Sequence, residues 1–348
     1  MGFREFLHWL SVKCPNLTFL FEPFRRPVRI LIRRIHYRHI VAASRSTQLE
    51  FIQAAETERN GKTVALMSVR NEIDRLSACL EYHRHLGVSE FCIVDNGSTD
   101  GSLEFLKAQR DVNLYRTNES YKQAYYGITW INFLFHKHAK GRWALFIDAD
   151  ELLYLNREDC KIDQYVELLS GIGQSYLYAP MVDLYLFDDE KVKSVGDRRD
   201  LDLALKESMH DVDGYEPGPL LSNGFLSLKG GPRGRIAQKT GGAQPLLVKF
   251  PLIRYDERRY FTASSHEFMP DSYETHIEQG WLIHLKLGTQ MARRHSDPEI
   301  EREHYGAGEE RTYLNSSQDV PRDATARRFD GLRTLACLRS KIVAEGRQ

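Results

Sequence analysis

The chain has 348 residues, 42% of them hydrophobic, enough to bury a sizeable core as one large domain or two. Formal net charge is zero, so no global field favours nucleic acid. The five cysteines (Cys14, Cys79, Cys92, Cys160, Cys337) are scattered, odd in number and without metal spacing. That argues against a disulfide scaffold or a zinc module, and a reducing cytosol is the simplest setting.

Residues 1–60 are basic and aromatic. Arg25, Arg26, Arg29, Arg33, Arg34 and Arg38 interleave with Ile30, Leu31, Ile32, Ile35 and Tyr37. No apolar run approaches the roughly 18–20 residues that span a bilayer, and Arg4, Glu5, His8 and Lys13 interrupt any signal-peptide core. A basic amphipathic segment can lie peripherally on an anionic membrane. A helical hairpin packed on the next domain, arginines in solvent, is the other reading.

From residue 61 strand-like and helix-like segments alternate. Lys62 to Val69 reads as a strand ending at Arg70-Asn71-Glu72, followed by a helix from Ile73 to Leu86 that stops at Gly87. Glu90 to Val94 is a second strand. It runs into the loop Asp95-Asn96-Gly97-Ser98-Thr99-Asp100-Gly101, where Ser98, Thr99 or Asp100 can cap a helix reaching about Gln109. Val112 to Arg116 is a third strand. A long helix is expected from Tyr121 to Ala139, with Lys122 and Gln123 in its first turn, where phosphates bind favourably. The alternation implies a parallel sheet whose strand ends converge on one edge.

Trp143-Ala-Leu-Phe-Ile-Asp148-Ala-Asp150-Glu151 is an apolar run ending in two aspartates one residue apart. On a buried strand it delivers hard oxygen ligands to the sheet edge where ligands bind in open α/β folds. Such ligands suit Mg²⁺ or Mn²⁺ with positions left for substrate phosphates. Capping of the following turn is the alternative. An EF-hand is excluded, because the sixth loop position is not glycine. The second pair, Asp211-Val212-Asp213, has no strand-like run before it and reads as a turn.

Three motifs in this order, Ser68-Val69-Arg70-Asn71-Glu72, Ile93-Val94-Asp95-Asn96-Gly97-Ser98-Thr99-Asp100-Gly101 and Phe146-Ile147-Asp148-Ala149-Asp150-Glu151, resemble the nucleotide-sugar half of a GT-A glycosyltransferase. More closely, they are similar to bacterial family 2-like enzymes with an Asp-x-Asp-Glu motif. Segments at Pro180–Tyr185, Gly230–Arg235, Lys249–Tyr255, Ser265-His266 and Leu282–Lys286 resemble that subgroup too, so the likeness spans residues 61–290.

The resemblance implies an α/β fold of GT-A type, Rossmann-like, with a mostly parallel central sheet flanked by helices. It implies a donor half at 61–155 and an acceptor half at 156–290. Residues 1–60 and 291–348 would be helical extensions, the first basic and the second charged. Asn71, Glu72, Asp95, Asn96, Gln123 and Asp148 would meet the nucleotide. Many members carry two aspartates where this chain has Asp95-Asn96, which leaves the base open. Asp148, Asp150 and His284 would hold Mn²⁺ or Mg²⁺; a hydrogen-bonded core histidine is the other reading of His284. Arg233 and Arg235, in a glycine-rich segment, and Lys286 would face phosphates, or the segment is a solvent loop. Inverting transfer needs a base, and Asp183, His266 and Glu267 are candidates.

The function this implies is metal-dependent, inverting transfer from a nucleoside-diphosphate sugar to a glycan or lipid-linked acceptor. The implied setting is bacterial surface polysaccharide synthesis in the cytoplasm or on the cytoplasmic face of the membrane. Two rivals stand beside it. One is a metal-dependent nucleotidyltransferase or pyrophosphate-cleaving enzyme. The other is a non-catalytic glycan- or nucleotide-binding module at a membrane surface.

Overall fold

The computed structural model describes residues 22–56, 60–186, 198–221, 226–240, 244–270, 278–287, 326–331 and 333–338. The expectations placed on residues 1–21, and nearly all of those on 291–348, lie outside the described residues.

The central sheet forms where the apolar runs demand it. Strands β1 (Glu50–Gln53), β2 (Thr63–Val69), β3 (Phe91–Asp95), β4 (Val112–Arg116) and β5 (Trp143–Phe146) enter it before any later segment. Its order is β1-β4-β3-β2-β5-β12, where β12 is Leu252–Arg254. The pairs β2–β3, β3–β4 and β2–β5 are parallel; β1 and β12 are antiparallel edges. Val64 to Met67, Phe91 to Val94 and Ala144 to Leu145 are fully buried, as expected of a sheet covered on both faces. This mostly parallel α/β sheet is consistent with the expected GT-A fold. Both antiparallel edges come from outside the three-motif region.

Helices fill the crossovers. They are α1 (Glu22–Ser46), α2 (Ile73–Leu86), α3 (Ser102–Lys107), α4 (Ile128–His138) and α5 (Ile162–Gly171). Helix α2 has the bounds its pattern predicts. It closes on Gly87 at φ 106°, a left-handed cap that disfavours any residue with a Cβ.

The expected helix from Tyr121 begins instead at Ile128. Tyr125, Tyr126 and Gly127 are left-handed in succession, at φ 52°, 58° and 77°. Tyr121 packs on Tyr126 and Trp130, and Trp130 donates to Glu119. A Cβ on Gly127 would sit 2.8 Å from the Tyr121 ring. This aromatic packing overrides helix propensity through Tyr121–Gly127.

A second sheet, β16-β8-β7-β15-β6, packs beside the first. It contains β6 (Glu151–Leu155), β7 (Ala179–Leu186), β8 (Ser208–His210), β15 (Gly280–Leu287) and β16 (Arg327–Arg328), with β11 (Val248–Lys249) also on β7. Helix α6 (Arg198–Glu207) precedes β8. The hairpin β9 (Tyr215–Leu220) and β10 (Leu226–Gly230) leads into helix α7 (Gly231–Thr240). A small hairpin, β13 (Tyr260–Ala263) and β14 (Glu267–Met269), completes the described strands. The chain crosses between the two large sheets three times, at 147–150 between β5 and β6, at 250–251 between β11 and β12, and again between β12 and β15 by way of the β13–β14 hairpin.

One buried histidine makes the fold acid-sensitive. His83 is fully buried; its Nδ1 donates to the Cys79 carbonyl at 2.8 Å, and its Nε2 accepts from Leu153 N–H at 3.4 Å. Accepting from Leu153 N–H at Nε2 requires the neutral ring. Burial lowers its pKa to about 4. The unfolded ring takes a proton near pH ~6.5, so between these values the unfolded state binds more protons and stability falls as pH falls. We expect about 3 kcal/mol to be lost across that window. Urea denaturation at pH 7 and pH 4.5 measures it, and a His83→Asn variant should show a flatter profile.

Candidate active site

The site lies where the two sheets meet. Strand β5 ends at Phe146, and Ile147 N–H still donates to Leu66 in β2, so the backbone leaves the first sheet at Asp148. Leu285 N–H donates to the Asp150 carbonyl, which anchors the Asp-x-Asp segment to β15.

A polar row crosses the second sheet. In register across β7, β15 and β6 stand Asp183, His284 and Glu151. Register partners share a face, so these side chains are neighbours. His284 Nδ1 lies 2.7 Å from Asp183 Oδ1, and its Nε2 lies 3.4 Å from Asp150 Oδ2. Arg233 Nε donates to the other Asp183 oxygen at 2.8 Å. Burial raises the Asp183 pKa, but Arg233 and His284 offset this and hold it well below the usual carboxylate range. Asp183 is therefore ionised and accepts from His284 Nδ1–H, which directs Nε2 at the Asp150 carboxylate. Asp150 Oδ2 also lies 3.2 Å from Arg75 Nη1, and the gap to His284 Nε2 can be bridged by a proton on the ring or by a bound cation. A divalent cation fits this donor set, in the carboxylate–histidine–metal arrangement known for such ions.

Lys249 extends the row, and no role was read for it from the sequence. Its ammonium is buried and donates to Asp148 Oδ2 at 2.8 Å and Glu151 Oε1 at 2.5 Å. Burial lowers the Lys249 pKa, but Asp148 and Glu151 more than compensate and raise it above the ordinary lysine value. Burial raises the Asp148 pKa, Lys249 lowers it, and the net direction is down. Glu151, more deeply buried, is raised by burial despite Lys249. The available signal was a lone lysine inside Pro245-Leu-Leu-Val-Lys-Phe-Pro-Leu-Ile253. A charge in a buried run needs partners.

Arg75 in the first turn of α2 joins Glu72 to Asp150. Its Nε donates to Glu72 at 2.6 Å, and Nη1 lies 3.2 Å from Asp150 Oδ2. Asn71, at φ 56°, accepts Thr99 N–H on Oδ1 while its own N–H donates to Ser98. Asp95 Oδ2 accepts Gly97 and Ser98 N–H, and Asn96 Nδ2 donates to the Thr117 and Glu119 carbonyls. Their remaining oxygens, Asp95 Oδ1 and Asn96 Oδ1, are buried and accept no hydrogen bond among the described residues. Asp100 bonds Ile73 and Ser102 N–H, tying together the starts of α2 and α3.

Several expectations are corrected by this geometry. Arg233 and Arg235 lie on α7, not in a flexible loop, and pair with the buried Asp183 and Asp211. Pro232 near the start of α7 favours that helix. The pair at Asp211 is not a plain turn: β8 precedes it, and Asp211 is buried between Arg235 and Tyr185. Asp183 lies inside β7, and the Arg233 guanidinium and the His284 ring on its two oxygens make it a poor proton acceptor. Glu267 pairs with Arg33 of α1. Gln123 is exposed in a turn, not in a helix facing phosphates. The Lys286 side chain lies outside the described residues. His266 stays near the site: its Nδ1 lies 2.5 Å from the Val248 carbonyl, and burial, with Lys249 and Arg233 nearby, lowers its pKa to about 3.

A second group, Glu90, Cys92 and His138, brings metal-capable atoms within 4.8 Å of one another in the core. Arg142 pairs with Glu90, Asn113 donates to Glu90, and the Tyr115 hydroxyl bonds His138. We read it as a polar network holding the opposite end of the sheet.

Residues 64–157 match the family model for glycosyl transferase family 2. No curated protein matches the chain. Among solved structures, one similar chain is a mannosyltransferase from Pyrobaculum calidifontis in complex with GDP-Man and Mn²⁺. It is 14% identical over 90% of this chain and 86% of that one, with a TM-score of 0.28. A score that low establishes no common fold, so the assignment stands on the sequence match. Among the described residues no helix is long and apolar enough to cross a membrane. Residues 64–157, which carry the strand ends at Asn71, Asp95 and Asp148, are similar to glycosyl transferase family 2, and that similarity supports a glycosyltransferase.

Proposed function

We propose that the enzyme transfers a sugar, with inversion, from a nucleoside-diphosphate donor to a glycan or lipid-linked acceptor, using Mn²⁺ or Mg²⁺. The observation that carries the metal reading is the line Asp183–His284–Asp150. Asp150 and His284, with Asp148 beside them, would hold the ion. Bound there, a divalent cation supplies charge neutralisation for the departing diphosphate.

The chain's own residues do the rest. Asp183 fixes the His284 tautomer and ring orientation, and Arg233 keeps Asp183 ionised. Asn71, Asp95 and Asn96 shape the loop over which the nucleotide would lie. Residues 61–155 form the donor half and 156–290 the acceptor half. Of the three candidate bases, Asp183 and Glu267 already hold cations. His266 is neutral, with Nδ1–H on a carbonyl, and we assign it the acceptor's proton at Nε2. A donor diphosphate would offset the nearby Lys249 and Arg233 charges and make the ring a stronger base. We infer a setting in bacterial surface polysaccharide synthesis at the cytoplasmic face.

The test is a thermal-shift panel of nucleoside diphosphates and sugar nucleotides with and without Mn²⁺, followed by analysis of products from the donor that binds. We expect one nucleotide to stabilise the fold only with metal, and turnover to release a nucleoside diphosphate. Release of pyrophosphate or monophosphate would refute glycosyl transfer. Silence across the whole panel would remove the donor site.

A further inference from the structure

Helix α1 is where the charge of this neutral chain is segregated. Its 25 residues hold seven arginines against one glutamate, Glu22, so the rest of the protein carries the compensating negative charge. Its C-terminal part packs through one face. Arg33 pairs with Glu267, Tyr37 donates to the Arg258 carbonyl at 2.7 Å, and Arg45 bonds the Tyr260 hydroxyl. Ile40 is fully buried, and Ser44 bonds Asn132 of α4. Arg33, Tyr37, Ile40 and Ser44 lie within an arc of about 60° at 100° per residue, while Arg45 reaches Tyr260 from the last turn of the helix.

Leu31, Arg34, Ile35 and Arg38 occupy an arc of about 100° on the opposite side. All four are exposed; Leu31 is 57% and Ile35 46% accessible, although both are large aliphatics. Arg34 and Arg38 have no ion pair among the described residues. The face thus presents aliphatic side chains between arginines, with no acid.

We propose that this face seats the enzyme on an anionic lipid surface. Arginines alone would suit a nucleic acid equally well. Exposed Leu31 and Ile35 between them favour a surface that offers negative headgroups over hydrocarbon. The inner face of α1 holds the β13–β14 hairpin, whose connection carries His266. A membrane on the outer face therefore lies one helix away from the hairpin of the acceptor half, which suits a lipid-linked acceptor. That consequence rests on the transfer reading; lipid binding does not.

The test is co-sedimentation of the full chain with vesicles of phosphatidylcholine alone or mixed with phosphatidylglycerol, at low and high salt. The wild type should bind the anionic vesicles, more weakly at high salt, and leave the neutral ones. An R34Q/R38Q variant should bind about thirtyfold more weakly, and L31S/I35S at least about tenfold. Both should melt like the wild type, because the substituted side chains are exposed. No binding by the wild type would overturn the proposal. So would L31S/I35S binding like the wild type, which would mark a charge-only surface such as one for nucleic acid. A dimer in sedimentation velocity that L31S/I35S dissolves would overturn it in favour of a second copy on this face.

Discussion

Asp150→Asn should lower kcat/KM by about three orders of magnitude, since metal-borne stabilisation of a leaving group is worth several kcal/mol. Asp150 Oδ2 is the oxygen nearest His284 Nε2, and the backbone on either side of it is held by β15 and β6. Asparagine keeps the shape and the contact with Arg75 but removes the charge that a divalent ion needs. Mn²⁺ binding, followed by the electron paramagnetic resonance signal of the free ion, should be lost in the same variant. Asp183→Asn should weaken Mn²⁺ by about 10–100-fold, the usual cost of losing the partner that orients a ligating histidine. If Asp150→Asn binds Mn²⁺ as the wild type does, the ion sits elsewhere and the proposed site is wrong.

Lys249→Met should destabilise the fold by about 3–5 kcal/mol, the cost of leaving a buried charge without its partner. Glu151 is almost wholly buried, and Asp148 lies against the same ammonium. Methionine fills much the same space, so the loss reports charge more than volume. The deficit should also depend on pH. With Lys249 gone, burial and the Asp148 charge both raise the Glu151 pKa above its unfolded value. The folded state then binds the proton more readily, and its stability falls as pH rises. Urea denaturation should therefore show a larger deficit at pH 8 than at pH 5, and a K249M/E151Q double variant should recover much of it. A deficit below about 1 kcal/mol, or one independent of pH, would mean that the ion pair contributes little.

Local pattern made residues 61–155 readable. The apolar runs at 63–69, 91–95, 112–116 and 143–146 are long enough and isolated enough to be strands, and their ends carry the polar residues of the three motifs. Helix α2 was equally plain, because apolar periodicity and the glycine stop coincide. The stretch 121–127 misled because propensity is a property of a few neighbouring residues. Its left-handed tyrosines answer to aromatic packing with Trp130.

Residues 156–290 were less legible, for a reason of distance along the chain. Glycines and arginines at 230–235 look alike whether they face a phosphate or a carboxylate. Only the fold shows that Arg233 meets Asp183, 50 residues away, and Arg235 meets Asp211, 24 residues away. Lys249 is separated from Asp148 by 101 residues and from Glu151 by 98. The sequence by itself determined the alternating α/β order, the parallel sheet and the delivery of Asp148 and Asp150 to its edge, because strand period and turn chemistry are local. The tertiary structure alone decided which charges share the site. The crossings between the sheets bring Asp150, His284, Asp183 and Lys249 together, and a buried charge must find its partner in space wherever the chain happens to carry it.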